Sequence, residues 1–87
     1  MNIYVGNLDF RVNENDLTDV FEEYGTVSST RIITDKFNGR SKGFGFVTME
    51  NHDEANKAIA ELNGATFENR KIVVNEAKPR KNGYNSF

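Results

Sequence analysis

Tyr4, Phe44 and Phe46 are the side chains of this sequence best suited to holding a ligand. Tyr4 lies in the run Ile3-Tyr4-Val5-Gly6-Asn7-Leu8. Phe44 and Phe46 lie in Lys42-Gly43-Phe44-Gly45-Phe46-Val47-Thr48-Met49. Both runs read as strands in which apolar residues occupy both parities. If the two strands share a sheet, the three rings stand together on the face opposite the core. Leaving a large ring in water forfeits roughly 1.5–3 kcal/mol relative to burying it. Three such rings on a small domain imply a ligand with flat apolar faces. Arg31, Arg40, Lys42 and Lys71 fall in or beside the same elements and would attract an anionic backbone. Stacking combined with phosphate attraction is the chemistry of single-stranded nucleic acid binding.

The elements that must position these rings follow from periodicity and caps. Strand 3–8 sends Ile3 and Val5 inward and Tyr4 outward. Asn13, with Asp16 three residues on, reads as a helix start, and Asn15 competes for the same role. Leu17, Val20, Phe21 and Tyr24 make its buried stripe, Asp19, Glu22 and Glu23 its solvent face, and Gly25 its stop. A second strand spans 27–35, with Val27, Thr30 and Ile32 inward, Arg31 and Ile33 outward, and an irregularity near Ser28–Ser29. Lys36 to Lys42 contains Asn38-Gly39, a hairpin signal. The third strand, 43–49, places Phe44, Phe46 and Thr48 on one face and Gly45, Val47 and Met49 on the other. Asn51 to Glu54 reads as a capping box. Ala55, Ala58, Ile59 and Leu62 form a second helical stripe ending at Asn63-Gly64. The last strand spans 71–77, with Ile72 and Val74 inward and Lys71, Val73 and Asn75 outward. Pro79 ends regular structure.

Strand, helix, strand, strand, helix, strand is a ferredoxin-like βαββαβ order of the α+β class. It makes a four-stranded antiparallel sheet with both helices on one face. Residues 1–79 form the domain and 80–87 a flexible tail. With 87 residues the chain has room for one core. No cysteine and a single histidine, His52, exclude disulfides, thiolate chemistry, Cys-ligated zinc and a His-rich metal site. No cofactor is implied. No apolar stretch is long enough to span a membrane and the start lacks a signal peptide, which points to the cytoplasm. The net charge of −2 argues against a polyanion until its distribution is read. Residues 9–30 and 49–69 carry −5 and −4, whereas 31–48 and 70–87 carry +3 and +4. The fold can therefore put opposite signs on separate faces.

These two runs resemble the signature motifs of the RNA recognition motif (RRM) family. Lys42 to Met49 matches the family octamer at seven of eight positions, Met49 standing where Phe or Tyr is usual. Ile3 to Leu8 fits the hexamer of the first strand. The likeness extends over 1–79, including Leu62-Asn63-Gly64 and Arg70, with Asn69 in place of a frequent Gly. It is nearest to short single-domain bacterial RNA-binding proteins, through Val74 to Arg80. The resemblance implies bases stacked on Tyr4 and Phe46, riboses against Phe44, phosphate at Lys42, and further base contacts from Ala77 to Lys81. Lys78 and Arg80 join the binding set on that ground. Asn7 and Asn75 are candidates for polar base contacts, with a structural role as the competing reading. The whole is a non-catalytic, monomeric binder of two to four nucleotides of single-stranded RNA, a role in post-transcriptional regulation. Stacking needs no 2′-OH, so single-stranded DNA stands beside RNA as a ligand. The alternative is a protein-interaction module using the same sheet. An enzyme is disfavoured, because no nucleophile, base and anion cradle converge.

Overall fold

The computed structural model describes residues 1–35, 37, 39 and 41–77, the side chains of 41 and 42 excepted. Its order is β1 (Asn2–Gly6), α1 (Glu14–Glu22), β2 (Ser29–Thr34), β3 (Ser41–Thr48), α2 (His52–Leu62), β4 (Thr66–Phe67), β5 (Arg70–Lys71) and β6 (Val73–Glu76). The four long strands form one antiparallel sheet in the order β2-β3-β1-β6, and β4 pairs with β5 in a small hairpin. This is the expected α+β architecture with both helices on one face.

The two helices start where their capping residues dictate. Asn13 Oδ1 accepts from the Asp16 amide at 2.8 Å, and the Asp16 carboxylate accepts from the Asn13 amide, closing a capping box. At α2 only half of the expected box forms. Asn51 Oδ1 accepts from the Glu54 amide, but the Glu54 carboxylate accepts from the Thr26 amide instead. That choice ties the start of α2 to the loop leaving α1.

The core lies between sheet and helices, built from the inward parity of the strands and the predicted helical stripes. Ile3, Val5, Val47, Met49 and Val74 of the sheet and its margins meet Leu17 and Phe21 of α1 and Ala55 and Ala58 of α2, all with no exposed surface. Met49 fills an inward position, so a long flexible thioether there serves the core. α1 packs on β2 and α2 on β6, and the small Ala55 and Ala58 let α2 approach closely.

Two expectations need correction. The single strand over 71–77 is divided: Arg70–Lys71 pairs with Thr66–Phe67, and only Val73–Glu76 joins the main sheet. Glu68 and Asn69 both have positive φ, 52° and 68°, as a two-residue hairpin turn of this hand requires. The Ile72 amide donates to Ala65 O and the Gly64 amide to Ile72 O, which holds the hairpin against the end of α2. The irregularity of β2 also lies elsewhere. Its register against β3 shifts between Ile32 and Thr34, where the Ile32 amide donates to the Glu14 carboxylate of α1. Finally, β1 and β6 run side by side so that Ile3 faces Glu76, and the Ala77 amide donates to Asn2 O at 2.8 Å.

Candidate nucleic-acid interface

The sheet face away from the helices is uncovered among the described residues, and it carries the three rings. Tyr4 of β1 lies directly opposite Phe46 of β3, and their centroids are 5.9 Å apart with planes at 63°. Phe44 completes a triangle, 6.1 Å from Tyr4 and 6.2 Å from Phe46. Edge and tilted contacts of this kind let the rings brace one another while each keeps part of its surface open. All three are half-buried, unlike the loop residue Phe37, which is 98% exposed.

Gly6 provides the seat for Tyr4. A Cβ there would run into the tyrosine Oη and come within 2.8 Å of Cε2 and Cζ. Without one, the ring lies back along its own strand and Gly6 is buried beneath it. Gly45 acts on the neighbouring seam. A Cβ would strike the Arg31 carbonyl, so β2 and β3 can come together only because the side chain is missing.

Registers place a continuous row across the sheet: Arg31, Phe46, Tyr4 and Asn75. Arg31, Lys71 and Asn75 are exposed, and Arg31 and Lys71 make no ion pair among the described residues. The next row holds Ser29, Thr48 and Asn2, with Thr48 Oγ1 donating to Asn2 Oδ1 at 2.8 Å. Asn7 has a different setting. With φ of 58° it turns the chain out of β1, its amide donates to Lys71 O at 2.7 Å, and its oxygen accepts from Arg70 Nη2 at 2.8 Å. Both of its polar groups are thus engaged in fixing the β4–β5 hairpin beside the sheet.

Other polar groups lie off this face. Arg11 donates to Asp9 from its backbone and its guanidinium, at 2.8 and 3.0 Å. These hydrogen bonds hold the Asp9 carboxyl below its ordinary value and raise Arg11. A cleft of about 390 Å³ beside them is lined by Phe10, Val12, Glu14, Ile32 and Thr34, and none of the three rings borders it. No group of three His, Asp or Glu side chains suited to a metal occurs among the described residues. No helix there is long and apolar enough to cross a membrane.

The family model for the RNA recognition motif matches residues 3–73. The chain belongs to that family. As an RRM it is an RNA-binding module whose sheet aromatics are suited to nucleotide stacking. It is 51% identical over 82 residues to the RbpA protein of Synechocystis sp. (strain ATCC 27184 / PCC 6803 / Kazusa), covering 94% of this chain and 81% of that one. It is 48% identical to the chloroplastic 28 kDa ribonucleoprotein of Nicotiana sylvestris, of which it spans 30%, with 94% of this chain covered. Among solved structures it superposes on RNA Binding Protein PG1 with a TM-score of 0.89 and 54% identity. That match covers 94% of this RRM and 99% of the other chain.

The RRM sheet brings Tyr4, Phe44, Phe46, Arg31 and Asn75 together, with Lys71 at the adjoining hairpin. Lys42 lies on β3, but its side chain, together with Arg40, Lys78 and Arg80, is outside the described residues, as is the 80–87 tail. Sequence reading missed Gly6 as the seat of Tyr4 and Asn2 as a member of the open face. The alternation that sends Tyr4 outward sends Asn2 outward as well, so that signal was present.

Proposed function

We propose that this RRM grips two to four nucleotides of single-stranded RNA, stacking successive bases on Tyr4 and Phe46 with a ribose against Phe44. The observation that carries this reading is the directly opposed Tyr4–Phe46 pair on an uncovered face. Each stack is worth about 1–3 kcal/mol, so two give roughly 2–6 kcal/mol before the ordering cost of the strand. Arg31, Arg40, Lys42, Lys71, Lys78 and Arg80 supply salt-dependent attraction to phosphate, and Asn75 a polar contact at the end of the row. Asn7 contributes by positioning the hairpin that carries Lys71.

The binding unit is residues 1–79, with 80–87 a tail. All the stacking groups come from one chain, so it works as a monomer. Its setting is the cytoplasm and its role post-transcriptional regulation. Single-stranded DNA binds too, because stacking does not depend on the 2′-OH. Duplex RNA binds poorly, its bases being already stacked and its major groove closed to side chains.

Fluorescence titration with short single strands tests the proposal. The Tyr4→Ala, Phe46→Ala double variant is expected to lose the larger part of the affinity while remaining folded. Unchanged binding would refute the stacking platform. Absence of salt-dependent binding to any strand in the parent protein would favour a protein partner on the same face.

A further inference from the structure

The row beside the rings has a chemical polarity that stacking does not use. Asn2 and Thr48 face each other across β1 and β3, two residues along from the Tyr4–Phe46 pair. The rows are therefore about 6.8 Å apart, within the span of a base lying on the Phe46 ring. Asn2 is exposed and Thr48 half-buried. Thr48 Oγ1 donates to Asn2 Oδ1 at 2.8 Å, which turns the carboxamide oxygen toward the neighbouring strand. The NH2 group of this exposed side chain donates to no partner among the described residues, so a donor is what Asn2 has left for a ligand. An asparagine that reads adenine uses both ends of its amide, accepting from N6 and donating to N7. Here the accepting end is directed at Thr48.

We propose that Asn2 and Thr48 form a base-reading pair that selects a keto base, uracil or guanine, at the nucleotide stacked on Phe46. The Asn2 NH2 donates to the uracil O4 or guanine O6. The amino groups of cytosine and adenine at the equivalent ring positions are donors and meet it unfavourably. Thr48 is a positioning residue that fixes which end of the amide faces the base. This inference rests on the stacking reading and adds a preference that stacking lacks, since every base has a π-face.

The test uses fluorescence anisotropy with labelled eight-nucleotide strands of uridine and of cytidine at one fixed salt concentration. The parent protein is expected to prefer uridine by roughly three- to tenfold, the worth of one net hydrogen bond. Thr48→Val keeps a strand-forming branched side chain but frees the amide to turn over, and the preference should fall toward unity. Asn2→Asp presents only acceptors, so it should weaken both strands and reverse the preference toward cytidine. A merely structural role for the pair would lower both affinities in proportion and leave their ratio alone. Equal affinity of the parent for the two strands, or a ratio unchanged in both variants, overturns the proposal. If the strands bind and Phe46→Ala abolishes that binding, such a result leaves the stacking platform standing. If neither strand binds the parent, the platform and this inference fail together.

Discussion

Ile3 and Tyr4 are neighbours on one strand, yet they do opposite kinds of work. Ile3 points to the helices and has no exposed surface, while Tyr4 points away and keeps part of its ring open. The same contrast separates Val47 from Phe46 on β3. Composition alone does not distinguish the faces, since both are apolar. The helix-side face uses its burial to hold the fold, whereas the open face leaves stabilisation unrealised until a ligand arrives. Mutations on the two faces should therefore separate stability from binding.

The largest expected effect is on the covered face. Ile3→Ala should lower unfolding stability by about 2–5 kcal/mol in denaturant titration, with RNA affinity of the folded fraction unchanged. The Tyr4, Phe46 double variant is its mirror image, losing affinity with little loss of stability. Equal damage to both properties in both variants would break the comparison. Gly6→Ala sharpens it, because the added methyl would displace the Tyr4 ring without touching the core. It should weaken RNA binding by on the order of 1 kcal/mol, less than the double variant, as read by the same fluorescence titration. Arg31→Ala should act more weakly and in a different manner. The slope of log affinity against log salt should become shallower by about 0.7, the share of one single-strand phosphate.

The smallest effect lies on neither face. The Asp9 carboxyl is held below its ordinary value chiefly by the Arg11 side-chain hydrogen bond. Its contribution is present above the ordinary carboxylate range and is lost as pH falls through the lowered value. Asp9→Asn should accordingly melt slightly below the parent at neutral pH, with the gap closing in strong acid. Thermal melts across that range provide the check, and RNA binding at neutral pH should stay as it was.

Much of this division was legible in the sequence because strand parity is a local property. Tyr4, Phe44 and Phe46 follow from alternation, and cap spacing narrows the first helix start to Asn13 or Asn15, of which Asn13 is the cap. The features that were not legible depend on contacts distant in the chain. Glu54 has the spacing of a capping-box residue, but the Thr26 amide, 28 positions away, takes its carboxylate. Strands β4 and β5 are two residues each, too short for a periodic signal, and Glu68 is not a residue whose type announces positive φ. Asn7 read equally as a base contact and as a structural residue until Arg70 and Lys71 were seen to engage both ends of its amide.

The pairing of β1 with β6 has a consequence for how such a domain can be used. Asn2 and Ala77 are joined by a backbone hydrogen bond, so the polypeptide enters and leaves the fold at one corner of the sheet. A domain of that kind can be threaded into a longer chain like a bead, its two connections starting from neighbouring strands. Closing the corner with a short peptide and reopening the chain at a surface turn would reorder the sequence while leaving the strand neighbours in place.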